Sequence, residues 1–95
     1  MINKYYNMDL VSVITPAYNC SNTISETIAS VIAQTYENWE MVIANDASKD
    51  NTVEIIEYFL KQDKRIKLIN LEKNSGAAVA RNVAINNASG RFIAF

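Results

Sequence analysis

The chain has no histidine, one cysteine, one proline and two glycines in 95 residues. Without histidine there is no imidazole base, no Ser–His or Cys–His nucleophile pair and no His–Cys zinc site. Cys20 stands alone, so no intrachain disulfide forms, which fits a reducing compartment. No run approaches the roughly 20 apolar residues of a membrane span. The first nine residues, MINKYYNMD, lack the apolar core of a signal peptide. Nor is there an excess of basic charge: the net charge is −1, and the scattered Lys and Arg make no stripe for nucleic acid. Acid–base or metal chemistry therefore falls to ten carboxylates.

What remains is ordinary for one small globular domain or part of a larger one, at 49% apolar and 20% charged. A chain this size buries about 60% of its unfolded surface, enough for a core with little in reserve.

Strand and helix patterns alternate. Leu10 to Thr15 is a short β-branched run that Pro16 ends, and Met41 to Ala44 and Ile66 to Ile69 are two more strands. Ser21 or Asn22 can cap a first helix, Thr23-x-x-Glu26 resembles a capping box, and Ile24, Ile28, Val31 and Ile32 repeat at helical spacing. Asp50 or Asn51 caps a second helix whose apolar face is Val53, Ile56, Phe59 and Leu60. Gly76 to Asn87 is an Ala-rich third helix with Ala80, Val83 and Ala84 inward, and Arg91 to Phe95 is a fourth strand. This β-α-β-α-β-α-β order predicts a Rossmann-like α/β domain, a mainly parallel sheet with helices on both faces. Residues 1–9 read as a tail. Phe95 closes an apolar strand with no turn or cap after it, which predicts that 10–95 is the N-terminal part of a longer domain.

In such sheets ligands bind beyond the carboxyl ends of the strands, where strand order reverses. Three loops lie there. In Pro16-Ala17-Tyr18-Asn19, Tyr18 either stacks on a planar base or packs over the sheet edge. In Asn45-Asp46-Ala47-Ser48, Asp46 either accepts from a base N–H or ribose hydroxyls, or closes an Asx-turn on its own backbone. Asn45, Ser48 and Asp50 can supply the local turn bonds, which leaves Asp46 freer. In Asn74-Ser75-Gly76, helix-opening amides can meet an anion, with Arg81 one turn further in, either near that anion or in a surface ion pair. No GxGxxG follows the first strand and no GxxxxGK[ST] occurs, which argues against a dinucleotide dehydrogenase or a P-loop NTPase.

Taken in order, Pro16-x-Tyr18-Asn19, Gln34-Thr35-Tyr36, Asp46 with Ser48 and Asp50-Asn51-Thr52, and Asn74-x-Gly76-x-x-x-Ala80-Arg81-Asn82 resemble the N-terminal half of a family 2 glycosyltransferase. The resemblance covers about Leu10 to Phe95. It implies the A-type glycosyltransferase fold and sugar transfer from a nucleotide-sugar donor, with uracil the expected base. The implied acceptor is a saccharide or a lipid-linked molecule, in cell-envelope or surface polysaccharide synthesis by a cytoplasmic enzyme, with or without membrane docking. It places Tyr18 on the base, Asp46 in a hydrogen bond to it and Arg81 near the nucleotide. The expected nucleotide-binding set is Pro16, Ala17, Tyr18, Asn19, Asp46, Ser48 and Arg81. The family usually carries Asp-Asp-Gly-Ser where this chain has Asn45-Asp46-Ala47-Ser48, so a positive φ at Ala47 is less readily available.

The resemblance also implies Mn²⁺ or Mg²⁺ on the donor diphosphate, held by an Asp-x-Asp motif expected beyond Phe95, and a carboxylate base further on. Transfer needs both, so no catalytic residue is expected in this chain and the chain alone is expected to be inactive. The alternative is a non-catalytic module that binds a nucleotide or a partner. A signalling receiver is disfavoured, since no acids cluster after the first strand and no phosphoacceptor Asp follows the third. Phe92, Ile93 and Phe95 on an unpaired edge are expected to drive self-association.

Overall fold

The computed structural model describes residues 9–95. Seven elements follow one another as β1 (Val11–Ala17), α1 (Ile24–Ala33), β2 (Trp39–Asn45), α2 (Thr52–Gln62), β3 (Ile66–Asn70), α3 (Ala77–Asn86) and β4 (Phe92–Ala94). Of the expected tail, residues 1–8 lie outside the described residues. Asp9 is held, its carbonyl accepting from the Tyr36 hydroxyl at 2.6 Å.

The sheet is parallel throughout, in the order β3-β2-β1-β4. The chain runs outward from β1 through β2 to β3, then α3 returns it to the other side of β1. Strand order thus reverses between β1 and β4, and the loops beyond that point are where a ligand fits.

Central β2 is buried along its whole length and reads almost continuously apolar, as a parallel strand covered on both faces must. Its side chains alternate. Trp39, Met41 and Ile43 meet Ile24 and Ile28 of α1 and Ile56 of α2 on one face. On the other face Val42 and Ala44, with Ile14, meet Ala80 and Ala84 of α3. The small alanines set α3 close against the sheet. Fully burying a side chain such as Ile28, Met41 or Ile56 contributes about 1.5–3 kcal/mol.

Several boundaries differ from the sequence expectation for physical reasons. β1 does not stop at Pro16. The Val11 N–H donates to the Asn38 carbonyl and the Ala17 carbonyl accepts the Asp46 N–H, so odd-numbered residues bond toward β2. The missing Pro16 N–H falls on the other side, past Val13, the last residue paired with β4, and costs no ladder bond. β2 extends two residues earlier, through Glu40, because that charge is partnered inside the fold. The Thr23–Glu26 capping box does not form: Thr23 occupies the N-cap without a side-chain cap bond, and its hydroxyl donates to the Cys20 carbonyl at 3.4 Å.

Glu40 is only 6% exposed. It accepts from the Ser12 hydroxyl of β1, the Ser89 N–H before β4 and the Lys67 ammonium of β3, the last at 2.7 Å. Burial pushes the Glu40 carboxyl up, but the bonds from Lys67, Ser12 and Ser89 outweigh it and hold the group below the usual carboxylate range. The Ser12 Oγ in turn accepts the Gly90 N–H at 2.8 Å. A Cβ at Gly90 would sit 2.4 Å from that oxygen and 2.7 Å from the Ser12 nitrogen, so only glycine fits there. Sequence reading missed this cluster, whose one signal was a carboxylate abutting an apolar strand. No helix among the described residues is long and apolar enough to cross a membrane.

Candidate nucleotide-binding site

A cleft of about 310 Å³ opens at the carboxyl end of β1. Pro16, Ala17 and Tyr18 line it from the β1 side, Asn74, Gly76 and Ala77 from the α3 side, and Asp46 lies between them. Tyr18 is 49% exposed, so a broad aromatic surface remains open to solvent.

Asp46 is 3% exposed and closes no Asx-turn on its own backbone. Its Oδ1 accepts the Ser75 N–H at 2.7 Å, and its Oδ2 accepts the Gly76 N–H at 2.9 Å and the Asn74 side-chain amide at 3.2 Å. A strand-end carboxylate from the second loop thus satisfies the amides that lead into α3, where the helix dipole favours negative charge. The Ser75 and Gly76 amides, expected among those free to meet an anion, are taken by Asp46. Asp46 is accordingly less free than its neighbours' turn bonds suggested. Four lone-pair sites on an ionised carboxylate against three donors leave Oδ1 capacity for one more.

The turn around Asp46 is pinned from below. Asn45 donates to Asn70 Oδ1 at 2.9 Å and its own Oδ1 accepts the Ser48 N–H at 3.2 Å, so the amide at this position uses both its donor and its acceptor. Ala47 takes φ 62°, the left-handed region. The chain adopts there the backbone that a glycine would take freely, and pays for the Cβ in strain of about 1–2 kcal/mol.

The first and second loops are stitched together as closely. The Asn19 N–H donates to Ser48 Oγ at 2.9 Å, while Asn19 Oδ1 accepts the Lys49 N–H at 2.8 Å. The Cys20 N–H donates to Thr52 Oγ1 at 2.9 Å and the Ser21 N–H to Asp50 Oδ2 at 3.2 Å. Asp50 Oδ1 accepts both the N–H and the hydroxyl of Thr52, giving α2 its side-chain cap from Asp50 rather than Asn51. The Thr52 hydroxyl leads in holding the Asp50 carboxyl down to about 2, with the backbone N–H groups of Thr52 and Ser21 adding to it against the cost of burial.

Of the expected set, Pro16, Ala17, Tyr18 and Asp46 line the cleft, while Asn19 and Ser48 bond each other between the first two loops. Arg81 is not brought in with them. It is exposed on α3, its guanidinium 6.0 Å from the centroid of the Phe95 ring. No three His, Cys, Asp or Glu side chains converge among the described residues. Asp46 and Asp50 are unsuited to a divalent cation, because each is already faced by N–H donors.

Comparison with known proteins gives concordant results. The family model described as Glycosyl transferase family 2 matches residues 12–95. The Escherichia coli protein UDP-Glc:alpha-D-GlcNAc-diphosphoundecaprenol beta-1,3-glucosyltransferase WfgD is 53% identical over 87 residues, covering 90% of this chain and 33% of that protein. Among solved structures, S. aureus TarS 1-349 in complex with UDP superposes with a TM-score of 0.82 at 36% identity, covering 87% of this chain and 25% of the other. The mannosyltransferase PcManGT from Pyrobaculum calidifontis, in complex with GDP-Man and Mn²⁺, gives 0.82 at 28% identity, with the same coverage. The chain spans about a third of the length of WfgD and similar curated relatives, and 12% of the length of others.

Proposed function

Since the chain belongs to glycosyl transferase family 2, we propose that it provides the nucleoside-binding part of an enzyme that transfers a sugar from a UDP-linked donor. The acceptor on this reading is a saccharide or lipid-linked molecule at the cytoplasmic side of a membrane, in envelope polysaccharide synthesis. WfgD, by its name, takes UDP-glucose and an undecaprenol-linked acceptor, and TarS binds UDP, which supports that donor and acceptor class.

The observation that carries the reading is the cleft itself. Tyr18 offers a face for a flat base, and Asp46 is fixed by three donors, with capacity on Oδ1 for one base N–H. A uracil N–H matches that single remaining acceptor. Pro16 and Ala17 supply the apolar wall beside the ring, and Asn19 and Ser48 hold the Tyr18 turn in place. Arg81 serves the nucleotide from the rim, by turning away from Phe95.

The structurally similar PcManGT is in complex with GDP-Man and Mn²⁺. A divalent ion bound with the donor offsets charge on the departing diphosphate. On this reading the ligands of that ion, and the base that takes the acceptor's proton, come from parts of the enzyme other than these residues. The 95-residue chain on its own is therefore assigned nucleotide binding without sugar transfer. Its exposed β4 edge also favours pairing with a second copy.

The test is an NMR titration of the chain with UDP, GDP, CDP and ADP, with and without Mn²⁺. Selective shifts at Ala17–Asn19 and Asn45–Ser48 with UDP support the reading. Equal, weak shifts with all four, or none, reject it.

A further inference from the structure

Three consecutive backbone N–H groups after β1, those of Asn19, Cys20 and Ser21, each donate to a different side chain of the second loop or the start of α2: Ser48, Thr52 and Asp50. None of the three acceptors lines the cleft, yet the segment they hold begins at the residue after Tyr18. Asn19 is left-handed at φ 45°, so the chain leaves the extended course of β1 directly after Tyr18. At the centre of the clamp, the Thr52 side chain is fully buried and both its capacities are used: the hydroxyl accepts from Cys20 and donates to Asp50 Oδ1 at 2.5 Å. A valine at 52 would keep the shape and lose both bonds, leaving the half-buried Cys20 N–H without its acceptor and Asp50 Oδ1 with the backbone N–H of residue 52 alone.

We propose that Thr52, with Asp50, is a positioning residue for nucleotide binding: it fixes the 19–21 segment and thereby aims the Tyr18 ring at the base. The proposal rests on the cleft being a nucleotide site. Thr52 touches no ligand. It acts through the Cys20 N–H, and its effect is pre-organisation: the ring is already where a base would stack, so binding need not order it. The same three amides would otherwise be the natural anion cradle of a β–α turn. Here protein oxygens occupy them, so the first loop contributes an aromatic face to the ligand rather than phosphate contacts.

The experiment uses the ¹⁵N-labelled 95-residue chain as wild type, Thr52→Val, Thr52→Ser and, as a core control on the same helix, Ile56→Val. Two quantities are read: amide hydrogen exchange at Asn19, Cys20 and Ser21 without ligand, and the dissociation constant for UDP. Thr52→Val is expected to speed Cys20 exchange at least about tenfold and to weaken UDP about fivefold to tenfold, the weight of a net hydrogen bond or slightly more. Thr52→Ser, which keeps the hydroxyl, is expected to restore both to within about twofold. Ile56→Val lowers global stability without a selective change at 19–21. Should Thr52→Val not fold, Asp50→Ala releases the exposed end of the same clamp and is read the same way at Ser21. Wild-type binding with Thr52→Val equally tight, or unchanged Cys20 exchange, overturns the proposal alone. A wild-type chain that binds no nucleotide overturns the functional reading and this inference with it.

Discussion

The Asp46 carboxylate accepts the Ser75 N–H at 2.7 Å across 29 positions of chain, joining the end of β2 to the start of α3. That contact turns two loops into one wall of the cleft. Replacing Asp46 by alanine leaves the Ser75 and Gly76 N–H groups without their acceptor, and should cost about 2 kcal/mol, within the range for donors left unpaired inside a fold. Asp46→Asn keeps one acceptor oxygen and should cost roughly half as much. Urea unfolding of the two variants checks the order, and equal stability of Asp46→Ala and wild type would refute a stabilising role for this contact.

Ala47 bears a strain that glycine would not. With φ at 62°, Ala47→Gly removes a left-handed penalty of about 1–2 kcal/mol and adds unfolded-state entropy worth about 0.5–1 kcal/mol. A net gain of about 0.5–1 kcal/mol is expected, seen as a higher urea midpoint at unchanged slope. A loss of stability would mean that the turn does not take this conformation.

Gly90 lies against Ser12 with no room for a methyl group. Gly90→Ala should displace the Ser89–Gly90 turn from the Glu40–Ser12 pair and cost about 3 kcal/mol, at the top of the usual range for overpacking. Hydrogen exchange should locate the damage at β4 and leave β2 and β3 protected. Uniform loss of protection would contradict a local clash.

Acid sensitivity follows from Asp50 and Glu40. Both carboxyls are held below their ordinary values in the folded chain, Asp50 at about 2. Groups with depressed folded values contribute stability that is fully present above their unfolded pKa and lost as pH falls through the folded value. Stability should therefore be level above about pH 5 and decline from about pH 4 toward 2. Asp50→Asn should flatten the lower part of that decline. A stability maximum below pH 4 would reverse the sign and refute the assignment.

Phe92 and Ile93, on the three-residue edge strand, and Phe95, just past it, are 51, 41 and 77% exposed. The isolated chain should dimerise or assemble further through this edge. Light scattering over a concentration series reads it, and Ile93→Lys should restore a monomer. A monomeric mass for wild type at high concentration would count against the edge as a contact.

The alternation of strands and helices was legible because apolar period and breakers mark it locally. The inward alanines Ala80 and Ala84 and the apolar core of β2 follow from the same patterning. Pro16 was read as a stop because its side of the ladder depends on which neighbour pairs there, and that is a property of sheet order. Glu40 was left outside β2 because its three partners come from β1, β3 and the turn before β4. At the site, the residue types in each loop could be read, and the resemblance singled out Tyr18 and Asp46. The amides that Asp46, Asp50 and Thr52 engage could not be read, because partners 28 to 32 positions away meet only when the loops converge. The same dependence explains Arg81: a helical position fixes its register but not what its long side chain reaches.

The central claim is that a base sits between the Tyr18 ring and Asp46. Intermolecular nuclear Overhauser effects between UDP and the isotope-labelled chain test it most directly. The account predicts contacts from the uracil H5 and H6 protons to the Tyr18 ring and the Ala17 methyl, which disappear in Tyr18→Ala. Uracil contacts to other residues, or binding that persists undiminished in Tyr18→Ala, would contradict it.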